Sequence, residues 1–200
     1  GMIVSTSAML TPEIAVDEEA MTVAAPVGMI LEDMRKEVVA ATGGRYVFPV
    51  DPTSRGDAMV GGTVACNASG FTPGEAGAMR PWVKEIEFVF PDGAVCRAAR
   101  GQYVSADGEF VIETFAGERV MPVPRYPRVP VKNAAGPFSS PDGVMDFVDL
   151  IVGSEGLFGV VTSCTLSLAP APAGHIDLFF SLPDEADAIA VRRYVADAIP

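Results

Sequence analysis

The sequence predicts an α+β domain, an antiparallel sheet flanked by helices. Three observations lead there. Two stretches alternate apolar and polar residues on either side of a tight turn. One segment carries apolar residues at helical spacing. The 20 glycines and 17 prolines in 200 residues interrupt the chain too often for a helical bundle or coiled coil. Hydrophobic residues make up 49 %, enough for a core and too many for global disorder. The net charge of −12 comes without any Lys/Arg cluster, which argues against a nucleic-acid partner, because phosphate contacts need cations. Apolar runs such as Leu150–Val152 are too short to span a membrane.

Taken in order, Met2–Ser7 reads as a short buried strand. Glu13–Asp17 and Ala20–Ala25, separated by Glu18 and Glu19, suggest a hairpin. Met29–Thr42 reads as a helix whose stripe is Ile30, Leu31, Met34, Val38 and Ala41, and Gly43-Gly44 ends it by taking left-handed conformations. From Phe48 to Arg80 no period is visible, and Gly, Ala, Pro, Ser and Thr dominate. Such a long loop, too apolar for disorder, is expected to be shaped around a ligand.

Val83–Phe90 alternates, and Pro91-Asp92-Gly93 turns it into Ala94–Ala98. Phe110–Phe115 and Glu118–Val123 form a weaker hairpin about Ala116-Gly117. Pro122, Pro124, Pro127 and Pro130 then impose an extended arm. A short helix is expected over Gly143–Val152, with Val144, Phe147, Val148 and Ile151 facing inward. Gly153–Gly159 is a second small-residue loop, and Val160–Leu168 is a long strand. Ala169–Gly174 reads as a linker, followed by a strand over Ile176–Leu182 and a helix over Asp184–Ile199 capped by Asp184.

Cys66, Cys96 and Cys164 have no CxxC spacing, so a disulfide framework is not expected and a reducing compartment is the default. Buried apolar cysteine is the simplest reading of all three, especially of Cys164. His175 has no partner motif, so no metal site is expected. No charged segment leading into an apolar one opens the chain, so a secretory signal is not expected and a cytoplasmic location is.

The segments Gly61–Gly70 and Gly153–Gly159 share one character: glycines where backbone must approach something closely, with one or two polar side chains. Neither is a P-loop or a GxGxxG turn. Their order carries a sharper resemblance. Phe48-Pro49-Val50-Asp51-Pro52-Thr53-Ser54, Val60 through Gly70, Lys132-Asn133-Ala134-Ala135-Gly136 and Leu150 through Thr162 together resemble four elements of the FAD-binding (PCMH-type) domain of the vanillyl-alcohol-oxidase superfamily. The glycolate oxidase / D-lactate dehydrogenase branch is the most similar.

The resemblance implies the second FAD-binding subdomain of that fold over residues 1–170 and the start of a truncated cap domain over 175–200. The family's first subdomain, whose glycine-rich loop holds the pyrophosphate, is expected to be absent here. Non-covalent FAD is the implied cofactor of the intact enzyme, and a small 2-hydroxy acid its substrate. Pro52, Thr53 and Ser54 are implied as the turn beside the flavin ring. Gly61, Gly62, Ala65, Asn67, Ser69 and Gly70 are implied along the cofactor, and Gly153, Glu155, Gly156 and Val160 at the second contact. Asn67 suits an Asx-type turn equally well, and Glu155 suits capping of nearby N–H groups. Leu157-Phe158 departs from the family's commoner Thr-Leu. No general base or other catalytic residue can be assigned, so the chain alone is expected to be inactive, and with half of the FAD cradle it is expected to bind flavin weakly or not at all. A chain or region supplying the missing subdomain is the implied partner. The alternative is a non-catalytic domain of the same fold that has lost flavin and serves as a binding or assembly module.

Overall fold

Five separate strand segments meet in one sheet. A computed structural model describes residues 3–11, 13–72, 74–123, 140, 142–174, 176 and 178–198. In chain order these form β1 (Ala15–Asp17), β2 (Thr22–Pro26), α1 (Leu31–Ala41), β3 (Tyr46–Val47), α2 (Val60–Ala65), β4 (Val83–Val89) and β5 (Val95–Ala99). There follow β6 (Glu109–Thr114), β7 (Gly117–Pro122), α3 (Phe147–Ile151), β8 (Val160–Ser167), β9 (Ala169–Pro170) and α4 (Glu185–Ala198). Short 3-10 turns occupy Glu75–Gly77 and Arg80–Trp82.

The main sheet has the order β1-β2-β8-β4-β5, with every neighbouring pair antiparallel. β8 is its centre: Cys164 lies opposite Ala25 on one side and Ile86 on the other. The inner face presents Val23, Ala25, Ile86, Phe88, Cys96 and Leu166, all buried. Against it pack Leu31, Met34 and Val38 of α1, Val60 and Val64 of α2, Phe147, Val148 and Ile151 of α3, and Phe110 and Ile112 of β6 in one cluster. Phe147 anchors the aromatic part, with ring centroids 6.1 Å from Phe88 and 5.8 Å from Phe110, both edge-on, the arrangement favoured by ring quadrupoles. The outer face carries Glu85, Glu87, Ser163 and Thr165, the polar side expected of an antiparallel sheet with one solvated face.

The three anticipated hairpins and the C-terminal end of α1 form where the alternation and the glycines put them, with Gly43 and Gly44 at φ +60° and +78°, and α1 begins two residues later than expected, at Leu31. Asp184 caps α4, accepting from Asp187 N at 3.0 Å. Five expectations need correction. Residues 3–7 form no strand; the Met9 N–H folds back to Thr6 O at 2.8 Å, and the turn packs on Gly28, whose N–H donates to Met9 O at 3.0 Å. The aperiodic stretch from Phe48 holds α2, so Gly61 and Gly62 are helical. Ala41 and Val144 are exposed, the place of Ala41 at the inner end of α1 being taken by buried Thr42. The supposed linker begins as β9, which pairs with β3 at Val47↔Ala169. The described residues of 176–182 form no strand, having no neighbouring strand to pair with, and α4 buries none of its residues. The prolines at 124, 127 and 130, the segment 132–136 and His175 lie outside the described residues.

No helix among the described residues is long and apolar enough to cross a membrane. Cys96 and Cys164 are buried, and burial pushes their thiols up to about 11 and about 12; Cys66, against expectation, is exposed.

Candidate functional site

The two glycine-rich segments stand side by side because each closes the other's open hydrogen bonds. A helix of six residues leaves its last carbonyls without partners inside the helix. Here the Gly153 N–H donates to Val64 O at 3.1 Å, and the Glu155 N–H to Ala65 O at 2.8 Å. Glu155 reaches this position with φ +53°, between Gly153 at +84° and Gly156 at +78°. The second loop itself hangs from α3, whose N-cap Asp146 accepts from Val148 N at 2.8 Å.

A cleft of about 370 Å³ opens along this seam. Gly61, Gly62, Ala65 and Cys66 form one wall; Ser154, Glu155 and Gly156 form the other; Gly159, Val160 and Val161 form the floor. Ile3, Val4 and Thr6 border it from the N-terminal segment. Of the expected site residues, the fold therefore gathers Gly61, Gly62, Ala65, Glu155, Gly156 and Val160. Cys66, Ser154 and Gly159 join them; their signal was membership of the same two glycine-rich segments.

The other expected residues stand behind the walls. Pro52, Thr53 and Ser54 open a turn that caps α1: Leu31 N–H donates to Ala58 O at 2.8 Å and Glu32 N–H to Arg55 O at 3.0 Å. Asn67 is buried at φ +47°, and its Oδ1 accepts the Arg80 N–H at 2.9 Å, so it ties two distant segments instead of closing a local Asx turn. Ser69 bridges to Ala78. Gly70 is pressed against Asp51, where a Cβ would meet both backbone and carboxylate. Gly153 contributes its N–H to the seam.

The two helical glycines separate a packing need from an open face. A Cβ on Gly61 would lie 2.7 Å from Val27 Cβ, so α2 can approach the residue that follows β2 only without it. A Cβ on Gly62 would meet nothing within 4 Å. Glycine inside a helix costs about 0.5–1 kcal/mol relative to alanine. Neither φ nor protein packing demands that cost at Gly62, so its bare backbone is left available to something in the cleft. Valine side chains on the floor suit an apolar ring, and the glycine walls suit a polar chain. Among the described residues none that lines the cleft is cationic. The Cys66 thiol, though exposed, is pushed up by partial burial and then by the neighbouring Glu155 carboxylate.

A larger hollow of about 440 Å³ lies on the outer sheet face. Three of its polar groups already satisfy one another: Glu87 holds Arg97 Nε at 2.9 Å and accepts from Thr162 Oγ1 at 2.9 Å. It is the weaker candidate. Among the described residues no three His, Cys, Asp or Glu side chains gather to hold a metal ion.

Residues 1–99 match the family described as "FAD binding domain". Over 174 residues the chain is 26 % identical to D-lactate dehydrogenase of Anaerostipes hadrus, covering 87 % of this chain and 28 % of that one. It is 26 % identical over 157 residues to glycolate oxidase subunit GlcD of Bacillus subtilis, covering 78 % and 25 %. Among solved structures, alkyldihydroxyacetonephosphate synthase superposes with a TM-score of 0.58 at 16 % identity, covering 97 % of this chain and 28 % of that one, which shows a shared fold. The chain spans about a quarter of the length of the curated relatives it matches.

Proposed function

Because the chain belongs to the family of FAD binding domains, whose cofactor is FAD, we propose that the cleft between α2 and the 153–159 loop receives part of an FAD molecule. The observation that carries this reading is Gly62, a helical glycine with an empty face turned to the cleft. Gly62, Ala65 and Gly156 would lie along the cofactor's backbone, and Val160 and Val161 would pack against its apolar part. When bound, a flavin supplies two-electron oxidation chemistry. This chain's residues would orient it, exclude water along the valine floor and keep the seam rigid.

Among the described residues the lining offers no cation to balance a pyrophosphate, and Glu155 adds negative charge. In this reading the phosphates are held outside the described lining, by another region of the protein or a partner, and this chain alone binds FAD weakly. The complete protein oxidises a small 2-hydroxy acid, a reading supported by the names of its relatives, D-lactate dehydrogenase and glycolate oxidase. Residues 1–170 serve as the flavin domain and 175–200 begin a substrate domain. The three free thiols suit a reducing, cytoplasmic setting.

Titration with FAD, followed by flavin fluorescence and gel filtration, tests the proposal. Saturable binding with a dissociation constant above roughly 1 μM is expected. A stoichiometric yellow protein surviving gel filtration would refute the incomplete cradle. No saturable binding up to roughly 1 mM would refute the flavin reading itself.

A further inference from the structure

Arg80 is only 5 % exposed and lies outside the cleft, behind both of its walls. Its backbone N–H donates to Asn67 Oδ1 at 2.9 Å, gripping the chain just beyond α2. Its guanidinium donates from Nη2 to Val152 O at 2.7 Å and from Nη1 to Asp149 O. Both carbonyls belong to the last turn of α3, immediately before Gly153 and the second wall. The Asp149 carboxylate lies 3.8 Å from Arg80 Nη1 and 2.9 Å from Arg100 Nη1. Arg100 Nη2 in turn donates to Arg80 O at 2.7 Å, so the residue is held from both ends.

We propose that Arg80 is the positioning residue of the cleft, setting the spacing between α2 and the 153–159 loop. The walls touch directly through two backbone hydrogen bonds, Gly153 to Val64 and Glu155 to Ala65. Two neighbouring bonds along one seam fix an edge and still allow the walls to open about it. Arg80 grips Asn67 on one side and Val152 on the other, which supplies a third support away from that edge. Arginine suits the task because its planar fork meets two carbonyls at once, whereas lysine offers a single point of charge. Asn67 suits it because asparagine tolerates φ +47° better than most residues and carries the acceptor there. The spacing stands on this geometry alone; its consequence for flavin rests on the function proposed above.

The test compares the full-length chain with Arg80→Lys, Arg80→Met, Asp149→Asn and, as a control on the outer sheet face, Arg97→Met. Hydrogen exchange at the Gly153 and Glu155 amides is measured by NMR, and FAD affinity by fluorescence. Arg80→Lys is expected to speed exchange at both amides and to weaken FAD, each by roughly tenfold or more, while the β4 and β8 amides keep their protection. Asp149→Asn shifts both readouts the same way by less, and Arg97→Met moves neither. Unchanged exchange at Gly153 and Glu155 in a folded Arg80→Lys or Arg80→Met protein overturns the proposal. Should both Arg80 variants fail to fold, unchanged exchange in Asp149→Asn overturns it. If the unaltered chain takes up no FAD, the flavin reading fails, and the exchange measurement alone decides the role of Arg80.

Discussion

The two walls of the cleft are both rich in glycine, and they need it for opposite reasons. In α2, Gly61 and Gly62 have ordinary helical backbone, and what matters is the missing Cβ. In the 153–159 loop, Gly153, Gly156 and Gly159 sit at φ +84°, +78° and +149°, where L side chains are strained whatever space surrounds them. Similar composition therefore hides two demands, close approach on one side and dihedral freedom on the other. Alanine substitutions separate them.

The largest effect is expected at Gly159, where both demands coincide. A Cβ there would meet Val89 O and lie 2.6 Å from the Phe88 ring, on top of the strained φ. Gly159→Ala should cost roughly 3 kcal/mol or more in urea unfolding. A loss below about 1 kcal/mol would show that the loop can relax, and the contrast between the walls would collapse.

Gly61→Ala and Gly62→Ala form the sharpest pair, because they are adjacent and should differ in sign. Crowding Val27 should destabilise Gly61→Ala by about 1–2 kcal/mol net of the helix-propensity gain. Gly62→Ala should stabilise the chain by about 0.5–1 kcal/mol and yet weaken FAD binding. Stabilisation with unchanged flavin affinity would mean that no ligand approaches the empty face.

The next test uses Cys66, at the end of α2 and bordering the cleft. Under native conditions an alkylating reagent should label Cys66 and spare Cys96 and Cys164, which are buried. Labelling should rise with pH as the thiolate forms, at higher pH than for an ordinary thiol of 9.0, because burial and then Glu155 raise it. Saturating FAD should slow it. Equal rates with and without FAD would place the cofactor elsewhere.

The smallest effect lies on the outer sheet face, away from both walls. The Arg97 hydrogen bond holds the Glu87 carboxyl below its ordinary 4.5. A depressed folded value stabilises above the unfolded value and is lost as pH falls through the depressed one. Arg97→Met should therefore cost less than about 1 kcal/mol at pH 7, and the difference should vanish as pH falls below 4.5. A change in flavin affinity in this variant would contradict the assignment of the cleft to the opposite seam.

How far the fold was legible follows from the range of the forces involved. The hairpins about Asp92-Gly93 and Ala116-Gly117 were readable because turn and alternation lie within a few residues of each other. α2 was not, since two glycines in six residues suppress helical propensity; it forms because Val60 and Val64 are buried and Val64 and Ala65 find partners in the distant loop. The run Ile176–Leu182 was apolar enough for a strand, but a strand requires a neighbour, and apolar character does not supply one. At the site, glycine density picked out the two segments that meet along the cleft and could not tell lining residues from those behind them. Pro52, Thr53 and Ser54, expected beside the cofactor, do not line the cleft and open the turn that caps α1.

By itself, the sequence determined the helical stripe of α1, the alternation of β4 and β8, the glycine brakes and the two segments worth watching. These depend on residues within a turn or a strand of one another. Only the tertiary structure decided that Gly62 opens into a cleft while Gly61 closes against Val27, and that Arg80 reaches Val152 across 72 positions of chain. Such contacts exist only after the sheet has brought the segments together, because hydrogen bonds and close packing act over a few ångströms in space and take no account of distance along the chain.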